Sequence, residues 1–213
     1  MDSITSTNLQ SLYSVALWLA IITIFYNIGE GLLSMWLGYE DEAVTLFGFG
    51  IDSFVEVISG IGILHMILRL KRNPDATKDR FEKTALRVTG IAFFILVAGL
   101  IASSGLILYT GHIPVTTFWG LIISTISILA MTALIYAKTV VGKKLTSEAI
   151  LADASCTRVC LYMSVILLLA SGLYELTHLP YIDAAGTLGL AYFSFKEGRE
   201  CFEKARSDKY CTC

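Results

Sequence analysis

Two pairs of residues of metal-ligand type lie in apolar stretches of this chain, and the members of each pair are four residues apart. Asp52 and Glu56 form one pair, and Cys156 and Cys160 form the other. On a helix, residues four apart lie on one face, a turn from each other. Two carboxylates and two thiolates make a tetrahedral ligand set that suits Zn²⁺ and similar d¹⁰ ions such as Cd²⁺. The spacing therefore predicts a four-ligand metal site.

The elements that must position these residues are membrane-spanning helices. The chain has 213 residues, of which 55% are apolar and 16% charged, and its mean hydropathy is +0.68. Several apolar stretches are long enough to cross a hydrocarbon core of about 30 Å. We predict an all-α integral membrane protein, with a six-helix transport domain over residues 1–200 and a short cytoplasmic tail over 201–213. The predicted helices are 12–37, 43–69, 84–110, 114–139, 147–176 and 180–200.

The basic residues of the loops predict how the chain is oriented. They lie in, or at the helix ends beside, the segments between helices two and three, between helices four and five, and after helix six, whereas the alternate loops carry no Lys or Arg. Cytoplasmic loops are enriched in Lys and Arg, so both termini are predicted to be cytoplasmic. The basic residues are Arg69, Lys71, Arg72, Lys78, Arg80, Lys83, Arg87, Lys138, Lys143, Lys144, Lys196, Arg199, Lys204, Arg206 and Lys209. No basic patch with interleaved aromatic residues occurs, and nucleic-acid binding is therefore not expected.

Depth in the bilayer favours a shared site for the two pairs. Helix two runs inward from the outer surface, and helix five runs outward from the cytoplasm. At 1.5 Å per residue, Asp52 and Cys156 each lie about 14 Å from their entry surface, and Glu56 and Cys160 about 20 Å. The pairs occupy the middle helices of two oppositely oriented three-helix halves, which is the pattern of an inverted repeat with a midplane site.

Other interpretations of the same residues stay open. The carboxylates would also suit a proton relay, and free cysteines are often small packing residues. Cys156 and Cys160 would also suit a membrane thiol-redox pair, because a disulfide tolerates Cα atoms about 6 Å apart. That reading leaves Asp52 and Glu56 without a function. A metal receptor that does not transport is a further alternative.

Two segments resemble the cation diffusion facilitator family of proton-coupled metal exporters. Residues 50–56 read GIDSFVE, and residues 151–160 read LADASCTRVC. Family members carry one ligand pair four residues apart in helix two and another in helix five, the latter often just after Ala-Asp-Ala. Tyr26 and Asn27 in helix one and Asp183 in helix six also fit the family. The resemblance covers nearly the whole chain and implies six helices with cytoplasmic termini.

The chain departs from the family pattern at the predicted ligands. Cys156 and Cys160 stand where the family has His or Asp followed by Asp, and Glu56 stands where it has Asp. Thiolates favour softer ions, so Hg²⁺ joins Zn²⁺ and Cd²⁺ as a candidate substrate. We also expect this divergent member to lack the family's C-terminal cytoplasmic metal-binding domain.

The resemblance implies a secondary transporter and not an enzyme, with no catalytic residues and no tightly bound cofactor. Metal/proton antiport out of the cytosol is the expected activity, and uptake through the same site is the alternative. Metal binding to a thiol releases its proton, so the two ions compete for one site. The expected partners are the metal ion, protons, the lipid bilayer and a second copy in a homodimer. A plasma or inner membrane is favoured over an organelle membrane.

We predict structural roles, rather than metal binding, for the remaining ionisable residues. Arg158 is predicted to pair with Asp153 or Glu30 inside the bundle, and a second proton site is the alternative for Glu30. Cys211 and Cys213 are predicted to be incidental cytosolic thiols, with capture of soft metal as the alternative.

Overall fold

The computed structural model describes residues 6–73, 80–111 and 114–206, and these residues form six helices and no strand. The all-α prediction is confirmed. Five of the helices, α1 to α5, contain a segment long and apolar enough to cross a membrane. The helices are Ser6–Glu40 (α1), Val44–Arg72 (α2), Arg80–Thr110 (α3), Phe118–Leu145 (α4), Glu148–Thr177 (α5) and Pro180–Arg206 (α6).

The largest errors in the predicted boundaries concern α1, α4 and α6. α1 begins at Ser6 and α6 ends at Arg206, each six residues beyond its predicted limit. α4 begins at Phe118 and not at Pro114, because residues 114–117 are irregular. The Pro114 carbonyl in this segment accepts a hydrogen bond from the Tyr174 hydroxyl. α4 also continues to Leu145, six residues past its predicted end at residue 139.

Three helix pairs build the bundle. α1 packs mainly on α2, α3 on α6, and α4 on α5, while α2 also contacts α5 and α6. Small residues permit the closest approaches, as is common where helices pack in a membrane. A Cβ atom added at Gly31 of α1 would lie 3.0 Å from the Gly50 carbonyl oxygen of α2. A Cβ added at Gly90 of α3 would lie 3.2 Å from the Gly198 carbonyl oxygen of α6.

Carboxylates from other helices cap two helix N-termini at one end of the bundle. We call this the outer end, defined by residues 41–43, 114–117 and 178–179, and the opposite end the inner end. Asp183 of α6 accepts hydrogen bonds from the backbone N–H groups of Val44 and Thr45, each at 3.2 Å, where α2 begins. Glu175 of α5 accepts a hydrogen bond from the backbone N–H of Thr117, the N-cap of α4. Each carboxylate satisfies orphan donors at a positive helix end and so fixes one helix against another.

Candidate metal centre

A cavity of about 60 Å³ lies within the bundle, and all four predicted metal ligands line it. The volume is enough for a few water molecules or one ion with part of its hydration shell. Toward the outer end, the last lining residues are Asn27 on α1, Asp52 on α2 and Met163 on α5. Above them, apolar side chains close the bundle, among them Leu46 and Leu167 at 1% and 0% exposure. The cavity therefore extends from the middle of the bundle toward the inner end.

The carboxylate pair on α2 faces this cavity. Asp52 is 3% exposed, and its Oδ1 atom has no hydrogen-bond partner among the described residues. Glu56 lies one turn further inward on the same face and lines the cavity together with Cys160. An ionised carboxylate buried without a partner costs several kcal/mol. A proton or a cation at Asp52 would offset this cost.

The two cysteines on α5 lie at different positions along the cavity. Cys160 is buried beside Glu56, and its Sγ donates a 3.6 Å hydrogen bond to the carbonyl of Cys156. Cys156 is half-buried, one turn nearer the inner end, and its Sγ lies 3.8 Å from the Lys204 ammonium of α6. Neither cysteine forms a disulfide within the described part of the chain. The structure thus brings Cys160 to the α2 carboxylates and Cys156 to α6.

The predicted pairing of Arg158 inside the bundle is wrong. Asp153 instead pairs with Lys138 of α4, whose Nζ lies 2.9 Å from Asp153 Oδ1 and 2.9 Å from Thr157 Oγ1. The physical reason is the direction of the side chains: Asp153 and Thr157 share the face of α5 that packs on α4, whereas the Arg158 side chain is exposed. Lys138, which the charge pattern placed in a loop, is 1% exposed.

Glu30 also lies away from Arg158. The Tyr26 hydroxyl donates to Glu30 Oε1 at 2.9 Å, and the Ser53 hydroxyl donates to Oε2 at 3.2 Å. Glu30 is 8% exposed and does not line the cavity. Its carboxylate is held by hydroxyl groups between α1 and α2. Cys211 and Cys213 lie outside the described residues.

Several further polar residues line the cavity that the sequence analysis did not assign to the site, among them Asn27, Glu197, Cys201 and Lys204. Asn27 is 1% exposed, and its Oδ1 has no hydrogen-bond partner among the described residues. Glu197, Cys201 and Lys204 come from the inner half of α6. The repeated spacing was a usable signal, because Glu197 and Cys201 are four residues apart, like the pairs on α2 and α5. The charged residues around them gave this segment the composition of a solvated helix.

The lining groups give the cavity an excess of acidic side chains. Once Asp153 is paired with Lys138, three carboxylates remain, on Asp52, Glu56 and Glu197, against one ammonium, on Lys204. Carboxylates and thiols are the side chains that bind borderline divalent cations. Among residues 6–73, 80–111 and 114–206, no three His, Cys, Asp or Glu side chains already converge as a metal centre. The cavity suits cations, and coordination would require its side chains to draw together.

A six-helix bundle with an acidic, thiol-containing cavity at mid-depth indicates a membrane protein that binds cations. The cation efflux transmembrane domain matches residues 20–208 of the chain. The chain belongs to this family, whose members are the cation diffusion facilitators. It is therefore a multi-pass integral membrane protein and a cation transporter.

Proposed function

We propose that the protein moves a borderline or soft divalent metal ion across the membrane through a site made of Asp52, Glu56, Cys156 and Cys160. Zn²⁺ and Cd²⁺ are the expected substrates, and Hg²⁺ is the softest candidate. The observation that carries this proposal is the shared cavity: two ligand pairs, predicted separately on α2 and α5, line the same space in the middle of the bundle.

Proton exchange follows from the chemistry of these ligands. Four ionised ligands would carry four negative charges against the two positive charges of the metal, which is costly at low dielectric. Protons therefore replace the metal when it leaves, and metal binding displaces them again. A site that holds either the metal or protons, open to one side at a time, is an antiporter. The proposed activity is metal/proton antiport.

The shape of the cavity favours export. The lining residues extend toward the inner end, and the apolar cluster closes the outer end. With cytoplasmic termini, as the basic loops predict, cytosolic metal would enter this conformation. Protons arriving after an outward opening would then release the metal on the far side.

The decisive experiment is flux of Zn²⁺, Cd²⁺ and Hg²⁺ into proteoliposomes that contain the purified protein. We expect Asp52→Asn and the double variant Cys156→Ser/Cys160→Ser to lose at least about tenfold in flux, because each removes ligands. Glu203→Gln is a matched control, because this exposed glutamate pairs with exposed Arg199 on the surface of α6 and does not line the cavity. The control should transport at the wild-type rate. Wild-type flux in the double cysteine variant would remove both thiols from the proposed ligand set.

The proton step and the redox alternative have separate tests. Imposing a pH gradient, acidic on the side to which the metal moves, should accelerate flux several-fold. A flux that does not depend on the gradient would contradict antiport while leaving transport intact.

If Cys156 and Cys160 were instead a redox pair, both thiols would become undetectable in a thiol titration after mild oxidation and would reappear after reduction. We expect instead that bound Cd²⁺ protects them in the absence of any oxidant.

A further inference from the structure

α6 supplies a third pair of ligand-type residues to the cavity. Glu197 and Cys201 are 7% and 6% exposed, and both line it. They are four residues apart and therefore lie on one face of α6. Asp183 of α6 caps the start of α2, which aligns the two helices at the outer end. Counted inward from that contact, Glu197 lies about 21 Å away, within one turn of the level of Glu56 at about 18 Å, whereas Cys201 lies about 27 Å away and is clearly deeper.

Cys156 links this α6 pair to the midplane ligands. It lines the same cavity, one turn inward from Cys160. Its Sγ lies 3.8 Å from Lys204 Nζ on α6, which shows that this face of α5 is turned toward α6. Cys156 can therefore contribute either to Asp52, Glu56 and Cys160 or to Glu197 and Cys201.

A positive charge already lies beside this inner group. Lys204 is only 12% exposed at its side chain, and its ammonium lies 3.4 Å from Glu200 Oε2 as well as beside the Cys156 sulfur. The long, flexible lysine side chain is able to withdraw toward the inner surface, where its ammonium is readily hydrated. The Lys204 ammonium thus holds the cation position at this level of the cavity, and Lys204 would compete with an entering metal for it.

Buried oxygens without partners further up the cavity point to a cation that moves beyond this group. Asp52 Oδ1 and Asn27 Oδ1 belong to side chains at 3% and 1% exposure, and neither atom has a hydrogen-bond partner among the described residues. Buried polar atoms are usually satisfied, and exceptions call for a ligand, a proton or water. Both side chains line the cavity at its closed end. The acceptors therefore continue from the inner group to the midplane.

We propose that Cys156, Glu197 and Cys201 form a second metal position on the inner side of the midplane site. It would take the same borderline or soft divalent cation and pass it to Asp52, Glu56 and Cys160, with Cys156 shared between the two positions. On binding, each thiol releases one proton to cavity water, and the Lys204 ammonium moves away. The proposal rests on the proposed transport function, because it describes the route to that site.

Cadmium binding to the purified protein in detergent tests the inner position directly. All proteins in the series carry Cys211→Ser and Cys213→Ser, so that the C-terminal thiols do not contribute. Equilibrium dialysis gives the number of Cd²⁺ ions bound, and ultraviolet thiolate-to-cadmium absorption reports how many thiols bind them. We expect the parent protein to bind two Cd²⁺ ions. The Cys201→Ser variant and the Glu197→Gln variant should each bind one. Glu203→Gln is the control and should keep two.

The Lys204→Met variant should strengthen Cd²⁺ binding, which is the opposite of the effect expected for Cys201→Ser and Glu197→Gln. Removing the competing ammonium should tighten Cd²⁺ binding at the inner position roughly tenfold. Asp52→Asn should abolish the midplane position and flux while leaving the thiolate signal that depends on Cys201. Unchanged stoichiometry in Cys201→Ser, measured on protein that elutes as a single species like the parent, would overturn the inner position. Absent flux in the parent protein would instead overturn the transport function, so the two failures are distinguishable.

Discussion

A lysine and an aspartate are buried together in the inner half of the bundle, and their opposite charges cancel within the cavity. Lys138 and Asp153 are 1% and 5% exposed, and both line the cavity. The Thr157 hydroxyl lies 2.9 Å from the ammonium and 3.1 Å from the Asp153 carbonyl oxygen. Because the pair is neutral overall, the carboxylates of the cavity that lie outside it are those of Asp52, Glu56 and Glu197. The structure therefore places Asp153 in an ion pair and not among the proposed metal ligands.

Removing only one partner of this ion pair should destabilise the protein. Lys138→Met leaves the Asp153 carboxylate buried without its cation, which typically costs about 3–5 kcal/mol. Lys138→Met/Asp153→Leu removes both charges and should recover most of that loss. Lys196→Met is the control, because Lys196 is 61% exposed and its contact with Glu200 is 4.0 Å long, so a change below about 1 kcal/mol is expected. Unfolding in detergent measures the differences, and equal effects of the two lysine variants would contradict a structural role for Lys138.

At the level of the helices, periodicity and loop composition predicted most of the architecture. Hydropathy located α1 to α5, and the spacing of Asp52/Glu56 and Cys156/Cys160 placed both pairs on one cavity. The same spacing in α6 was overlooked because Glu197 is surrounded by charged residues, a composition that also suits a solvated helix. Which face of α6 is buried depends on its packing against α3 and α2.

The partners of individual charges could not be predicted for a related reason. Arg158 is only five residues from Asp153 in the sequence. Because residues five apart do not share a helix face, their side chains do not meet. Lys138 reaches Asp153 only because α4 and α5 pack side by side. That tertiary contact has no signature in the local sequence, and the charge count alone assigned Lys138 to a loop.

The close contact between α1 and α2 should be sensitive to a single methyl group. A Cβ added at Gly31 would lie 2.9 Å from the Phe54 ring and 3.0 Å from the Gly50 carbonyl oxygen, whereas one added at Gly29 meets nothing within 4 Å. Gly31→Ala should therefore force α2 outward and destabilise the protein by about 1–3 kcal/mol. Because Gly50 is two residues before Asp52, metal flux should fall as well. Gly29→Ala is the matched control on the same helix.

Thermal unfolding in detergent and Cd²⁺ flux in proteoliposomes would measure both effects. We expect Gly29→Ala to match the wild type in flux and to be at least as stable, because alanine is the better helix former. If Gly31→Ala behaved like Gly29→Ala in both assays, α1 and α2 would have room to adjust, and the contact would not position Asp52.

At the scale of the whole molecule, the cavity and the apolar closure are the features that the proposed alternating-access transport would use. α2 and α5, which carry the midplane pairs, run in opposite directions and contact each other at the centre of the bundle. Relative rocking of two such halves can open a midplane site to either side. The carboxylate caps of α2 and α4 lie at the closed outer end. An outward opening must therefore separate the apolar cluster between these caps and the midplane.

The membrane orientation decides which compartment the inner end of the cavity faces, and hence which direction of transport the proposed site would serve. The basic residues near the inner end predict that it is cytoplasmic. Full-length protein carrying green fluorescent protein at its C-terminus should fluoresce in bacterial cells, and the same chain carrying alkaline phosphatase should be inactive, because each reporter works on only one side of the membrane. Active phosphatase with a dark fluorescent fusion would put the cavity on the outside, and the same ligands would then receive external metal, as in an uptake carrier.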